Sequence, residues 1–553
     1  MSLPHMIPSR LLLLALALGP LCALAQRPPN AGQLLQQVTP PPRLPSGDAP
    51  PPAIEESPAA AAQAGGQRFK LEAVRLGGNS AFTEQELQAL VQNDIGRAVG
   101  LADLDALARR ITLYYRQRGY LVARAYVPAQ EVRAGIVHIE VLEGRIGQVA
   151  VDNRVGVAPG AIAPLGRLHS GESVDSEALE DVLLRLADLP GVEVKSTLRP
   201  GATVGTSDFF VELMPGRAIS GSVEADTFGN YYTGAFRAGA TFNWNNPARL
   251  GDQLSLRAIA SGEDFQYGRI GYQLPFGAQA TRVGVAWSQM RYRLGEELAV
   301  LDAHGQAQVA SVYLQHPLRR SRQANWYATL EYDDKRLTDQ VDATAFVADK
   351  SVRNVTLGLA GDFVDGVGGG GANNLNVSYT NGRLSLDVGS AAIDAASARS
   401  AGGFGKWALA FQRQQLLPAG WTLLVNLNGQ VADRNLDSSE KLVLGGATGV
   451  RAYPQGEATG DDGAIVNLEA RRALAPAWEA AIFYDRGDVR FNHVPWVGNT
   501  DTHRSLAGWG AGLAYGAGPW RARLFSAWKA GTGDAKSAPD RSPRVWAQAG
   551  YAF

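Results

Sequence analysis

Two charged residues have types that suit each other. Arg451 stands near the start of the string VRAYPQGEATGDDG, Val450 to Gly463, and Asp485 stands in WEAAIFYDRGDV further along. A guanidinium is a planar fork of donors and a carboxylate a matching pair of acceptors. Brought together in a partly dry place, they form a bidentate, charge-assisted pair. Such a pair fixes one segment against another; it moves no proton and attacks no bond. A second reading stays open on spacing alone. Arg451 can be a solvated loop residue and Asp485 a hydrated group on a channel wall, since exposed ion pairs contribute little.

Bond-making chemistry finds no comparable pairing. The seven histidines are scattered, with no H-E-x-x-H, G-x-S-x-G or G-x-x-x-x-G-K-[ST]. His138 in IVHIEV and His316 beside Pro317 read as structural. The GDDG of the loop string lacks the remaining ligands of a calcium loop. The sequence therefore predicts no enzyme, no cofactor and no metal. The block PLRRSR, 317–322, reads as a solvated turn or a contact to lipid headgroups.

What must position Arg451 and Asp485 is a run of strands. From about residue 218 to Phe553 the helical period vanishes, and segments of about ten residues alternate polar and apolar. In NVTLGLAGDF, Val355, Leu357, Leu359 and Phe363 share one face, with Asn354, Thr356 and Asp362 on the other. WRARLFSAWK sets Trp520, Ala522, Leu524 and Trp528 against Arg521, Arg523 and Lys529. Aromatics at the ends of the apolar face and a polar opposite face fit a transmembrane antiparallel β-barrel with a wet lumen. Sixteen such segments are counted, the last alternating up to a terminal Phe553. The loop string lies between the eleventh and twelfth, and Asp485 is on the thirteenth. A carboxylate facing lipid is costly, so period two turns Asp485, Ala481 and Phe483 to the lumen and Ile482 and Tyr484 to lipid. Asn467, Glu469 and Arg471 of the twelfth face inward too.

Ahead of the barrel the period alternates between strand and helix. Residues 68–145 read as β-α-α-β-β, with a Thr83/Glu86 capping box and a stripe of Leu101, Leu104, Ala108, Ile111 and Tyr115. Residues 146–217 read as a second α+β unit whose helix is capped by Asp175. Small sheets of this kind bind extended peptides by strand addition. Residues 26–67 are a Pro/Ala-rich linker that carries one short helix, NAGQLLQQ, capped by Asn30. Residues 1–25 read as a secretory signal: Arg10, an apolar run from Leu11 to Leu18, and Ala23-Leu24-Ala25 as the cleavage site. The single cysteine, Cys22, would leave with it. The 52 Lys+Arg against 53 Asp+Glu exclude a nucleic-acid binder driven by phosphate neutralisation.

Several segments jointly resemble one family. They are ADTFGNYYTGAFRAGATFNWNNPARLGDQLSL, YQLPFG, LQHPLRRSRQANWYATLEYDDK, EKLVLGGATGVRAYPQGEATGDDGAIVNLEAR and FYDRG. With them the chain resembles the TpsB transporters of two-partner secretion, the haemolysin secretion/activation (ShlB/FhaC/HecB) group of the Omp85 superfamily. The resemblance implies two POTRA domains and a sixteen-stranded barrel, placed in the periplasm and the outer membrane. It implies export of a large haemolysin- or adhesin-like exoprotein carrying an N-terminal secretion domain. The implied partners are that exoprotein, outer-membrane lipids and the barrel assembly machinery during biogenesis. At the site it implies a latch, in which Val450, Arg451 and Tyr453 at the loop tip meet Phe483 and Asp485 on the wall. It makes Phe553 the C-terminal barrel signature. The family pattern has glycine where this chain has Ala452, so the tip backbone is expected to differ if that position needs a positive φ. Some members plug the pore with an N-terminal helix; NAGQLLQQ is short against an apolar band about 25 Å tall. An Omp85-type factor that inserts barrel proteins is the alternative reading.

Overall fold

The computed structural model describes residues 28–38, 50–54 and 68–553, apart from positions 263, 498, 500 and 532. The expected signal sequence and most of the linker lie outside the described residues. Among the described residues no helix is long and apolar enough to cross a membrane.

The first α+β unit packs two helices, Glu84–Val91 and Leu101–Gln117, on a three-stranded sheet of Ala73–Gly77, Ile136–Leu142 and Arg124–Tyr126. Thr83 and Glu86 form the capping box. The stripe of the long helix delivers Leu104, Leu107, Ala108, Ile111 and Tyr115 to the core, whereas Leu101, expected on that stripe, is exposed. Ser80 and Ala81 of the loop and Tyr115 of the long helix donate hydrogen bonds to Glu143. Burial pushes that carboxyl upward, but the donors outweigh it and hold the group below its usual range.

The second unit pairs Val192–Pro200, Thr206–Pro215 and Arg145–Asn153 beneath the helix Ser176–Ala187, capped by Asp175 as expected. Its sheet has a fourth strand from elsewhere. Ala53–Ile54 of the linker lies parallel on the edge strand, Ala53 opposite Thr197 and Ile54 opposite Leu198.

Sixteen of the described strands, from Ile219–Asp226 to Arg544–Ala552, close into an antiparallel barrel. The seam between first and last runs from Ser222 opposite Ala552 to Asp226 opposite Gln548. Phe553 extends it by exchanging backbone hydrogen bonds with Gly221 in both directions. The sixth to ninth strands are long, at 18, 18, 20 and 16 residues, against nine in the second and third, so one wall is tall and the other short. Period two decides burial: Val355, Leu357 and Leu359 are exposed to lipid while Asn354, just before them, is buried. Aromatic pairs gird the ends, with Trp478 on Tyr515 and Trp520 on Tyr551 near the periplasmic rim, and Trp509 on Trp528 higher up.

PLRRSR is neither a solvated turn nor a headgroup contact. It is the end of the sixth strand, Ala303–Arg320, and the start of the turn after it, and it grips the second α+β unit. Arg320 is buried and holds Asp188 through Nε at 2.9 Å and Nη2 at 2.8 Å. Arg319 pairs with Glu177, and the Arg322 amide donates to Glu180. Reaching the other way, Arg185 is buried and donates to the carbonyls of Gln279 and Pro317. Alternation could not reveal this, because the partner is a different domain. A charge-rich block at a strand end looks the same whether it meets water or another unit's helix end.

Candidate functional site: a loop folded into the pore

The segment 433–461 joins the eleventh strand, Trp421–Ala432, to the twelfth, Asp462–Ala475. It does not project outward. Leu442–Val443 pairs with Thr459–Gly460 as a short ribbon, and Leu444 and Gly445 continue it by donating to Ala458 and Glu457. The ribbon drives the tip down the lumen, where Val450, Ala452 and Tyr453 are buried with Phe483, Leu506, Phe525 and Trp546 of the wall.

At the tip Arg451 meets Asp485. Nε and Nη2 bind the two carboxylate oxygens, each at 2.9 Å, and the Arg451 amide adds a third bond at 3.0 Å. Asp485 is fully buried, while Ile482 and Tyr484 beside it are exposed to lipid, which fixes the inward parity. Nη1 turns to Glu469 of the twelfth strand, itself held by Arg471. The guanidinium carbon lies 3.4 Å from the Phe483 ring centroid, a desolvated cation–π contact worth ~2 kcal/mol. Asn467 bridges Asp485 to the Gly449 carbonyl, and the Trp546 indole donates to the Arg451 carbonyl at 2.7 Å. Two carboxylates, a ring face and four further hydrogen-bonding groups therefore enclose one arginine. The solvated reading of Arg451 does not describe this geometry.

Tyr453 packs in the same apolar cluster, but its hydroxyl points elsewhere, donating to the Gly533 carbonyl in the last extracellular loop. Ala452 does not take a positive φ. Its methyl sits against Gly508 of the fourteenth strand, where a Cβ on Gly508 would fall 2.4 Å from it. The small residue is thus supplied by the wall, and the tip backbone carries no strain at Ala452.

Sequence reasoning assigned no partners to three carboxylates of the same loop string, two of them in GDDG. Glu457 is fully buried, accepts from the Lys536 and Ser537 amides and pairs with Arg504, stitching this loop to the last one. Asp461, also fully buried, takes Lys441 and the amides of Leu436 and His493. Burial holds the Asp461 carboxyl above its usual range, with Lys441 opposing. Asp462 caps the Ala432 amide and binds Arg490 and His493. The available signal was the density of acids in a loop with so few basic residues of its own.

The base of the loop carries the N-terminal helix. Ala31–Gln36 is closed by a capping box between Asn30 and Gln33. It crosses the extracellular half of the lumen. The Ala31 amide donates to Asp339 on the seventh strand at 2.7 Å, and Gln36 donates to the Lys441 carbonyl of the loop. Leu34 and Leu35 are buried among wall residues that include Met290, Leu337 and Val352. Gly32 is required here: a Cβ would lie 2.5 Å from Ser438 Oγ and 2.7 Å from the Ser439 amide. That stretch of loop is clamped to the wall by Lys350 on Asp437 and by Lys335 and Lys406 on Glu440. Short as it is, the helix packs between the wall and the base of the loop. Deleting residues 28–38 is expected to raise single-channel conductance in planar bilayers several-fold; an unchanged conductance would mean that the loop alone closes the pore.

Comparison with known proteins follows the same lines. The family described as haemolysin secretion/activation protein ShlB/FhaC/HecB matches residues 205–515, and the POTRA domain of ShlB type matches residues 69–144. The chain is 28% identical over 448 residues to the heme/hemopexin transporter protein HuxB of Haemophilus influenzae, covering 79% of each. It is 24% identical over 454 residues to the outer membrane transporter CdiB of Dickeya dadantii, covering 77% of this chain and 75% of that protein. The solved structure of CdiB from Escherichia coli shares the fold, with a TM-score of 0.65 at 20% identity, over 90% of this chain and 93% of that one. A closed sixteen-stranded barrel, periplasmic α+β units and a family match over more than half the chain converge: this protein belongs to the ShlB/FhaC/HecB haemolysin secretion/activation family of outer-membrane two-partner secretion transporters.

Proposed function

We propose that the chain exports one large partner exoprotein, and that the Arg451–Asp485 contact is the latch holding its pore in a resting state. One observation carries this reading: two parts that belong to no barrel strand pack inside the lumen, a loop tip whose arginine sits in one ion cluster and the short helix Ala31–Gln36. A passive porin has no use for either, nor for periplasmic α+β units. The cargo arrives unfolded in the periplasm and adds to an exposed sheet edge through main-chain hydrogen bonds. The linker strand Ala53–Ile54 already occupies such an edge, so a cargo strand added there displaces it and frees the segment that leads to the helix. Folding of the cargo outside supplies the direction of transport, since the chain has no nucleotide-binding loop.

Comparative proteomics of medium, cell surface and outer membrane, with and without the gene, tests this. Loss of one large exoprotein with other barrel proteins unchanged is expected. A joint fall of many barrel proteins would instead make the chain an assembly factor and overturn the export reading.

A further inference from the structure

The tall wall of the barrel changes character abruptly on its outer face. Strand register places the side chains in rows. One row runs Val283, Leu314, Leu330, Leu357, Tyr379, Trp407, all turned to lipid. The next toward the exterior contains Val285, Val312, Tyr332 and Val355. The row above it sets Asp334 opposite Arg353 and Arg353 opposite Arg383. The following row sets Gln289, Gln308, Arg336 and Ser351 side by side, and the one above that Gln266, Arg291 and Gln306. Each row is two residues, or about 7 Å along a strand, and strands tilted by about 40° rise about 5 Å per row. Counted along each strand, Arg353 stands one step of two residues above Val355, and Arg336 and Arg383 stand two such steps above Tyr332 and Tyr379, about 5 and 10 Å beyond the last apolar side chain. Those levels span the headgroup layer, about 5–7 Å deep on each side of the hydrocarbon, and its outer edge.

Their side chains face outward and remain open. Arg336 and Arg353 are 72% and 64% exposed and share one carboxylate, Asp334, at 3.7 and 3.2 Å. An exposed pair shared between two arginines holds them weakly, so most of their N–H donors stay available. Arg291 and Arg383 are exposed as well. Two clefts lie on this face. One, of about 460 Å³, is lined by Asp264, Gln266, Arg291, Arg293 and Gln306; the other, of about 470 Å³, by Gln308, Arg336, Ser351 and Arg353, with the carboxylates Asp349 and Asp387 at its margin. Guanidinium forks bind phosphate oxygens, while amides and hydroxyls bind sugar hydroxyls. The thirteenth strand, on the other side of the barrel, presents Arg486 at a similar level between Val466 and Ala507.

We propose that the outer face of strands five to nine is a binding surface for a phosphorylated glycolipid of the external leaflet, with Arg336, Arg353 and Arg383 on its phosphates and the glutamine row on its sugars. This inference rests on the membrane placement of the barrel and is independent of the latch. The test is native mass spectrometry of the full mature chain in non-ionic detergent, with a bisphosphorylated diglucosamine lipid and its dephosphorylated form as probes. The bisphosphorylated lipid is expected to bind the wild type. Binding should weaken about tenfold or more in Arg336→Gln/Arg353→Gln/Arg383→Gln and stay unchanged in Arg486→Gln. Equal binding by the triple variant, or equal binding of the dephosphorylated lipid to the wild type, would overturn the proposal. The second comparison needs no variant, so it decides even if the triple variant does not assemble.

Discussion

Arg451→Ala is expected to abolish export of the cargo while leaving the barrel inserted and heat-modifiable. The sixteen-stranded ladder does not depend on Arg451, whose bonds all run between a loop and the wall. Truncation strands Asp485, fully buried, with Asn467 as its remaining side-chain donor and no cation. Leaving one member of a buried pair alone costs ~3–5 kcal/mol. Much of that is recovered only if the loop tip leaves the wall and water enters. The resting position of the loop is then lost, and, on the proposed latch mechanism, export with it. Arg451→Lys should fail nearly as badly, because an ammonium cannot span both oxygens of Asp485, reach Glu469 and stack on Phe483 at once. Asp485→Asn should retain more function, since an amide still fits the site. The measurement is cargo in the medium per unit of folded barrel in the membrane. Normal export by Arg451→Ala would remove the latch from the mechanism.

The barrel was legible because lipid imposes period two. The rule that turned Asp485 inward and Tyr484 outward needs nothing beyond the cost of a charge in hydrocarbon, and the burial of the two residues follows it. Helix caps at Asn30, Thr83 and Asp175 were legible for a similar reason, since each satisfies backbone donors a few residues away. What stayed hidden is long-range and polar. Nothing in the sequence around Glu457 indicates that its donors come from the last extracellular loop, or that Trp546 reaches the Arg451 carbonyl. Such contacts depend on which loop folds inward, a choice made by the whole barrel. The path of the linker strand was equally invisible: Ala53–Ile54 has no pattern of its own, and its partner supplies the ladder.

Arg320→Ala is expected to release the second periplasmic unit from the barrel rim. Three bonds converge on Arg320 from two domains: Asp188 by both carboxylate oxygens, and Asn325 by its side-chain oxygen at 2.6 Å. Asn325 in turn donates to Asp362 of the eighth strand, so the arginine ties a helix end to three neighbouring strands. The Asp188 carbonyl also takes Arg282 at 2.6 Å, and Gly251 of a neighbouring turn would place a Cβ 2.8 Å from Leu189. The contact is close-packed as well as charged. Arg320 and Asp188 are 4% and 9% exposed, so truncating one again costs ~3–5 kcal/mol. A domain junction of modest size has little stability in excess of that. Arg319→Ala is the control, because its pair with Glu177 is largely exposed and worth under ~1 kcal/mol. With the sole native cysteine in the expected signal segment, spin labels at Val204→Cys and Val367→Cys report the angle directly. Both sites are well exposed, one on the periplasmic unit and one on a barrel turn. A narrow distance distribution is expected in the wild type and in Arg319→Ala, and a broad one in Arg320→Ala. The double variant Arg320→Met/Asp188→Leu should narrow it again, because a buried pair replaced by apolar groups of similar size leaves no stranded charge. A narrow distribution in Arg320→Ala would show that apolar packing around Leu189 holds the junction without the ion pair.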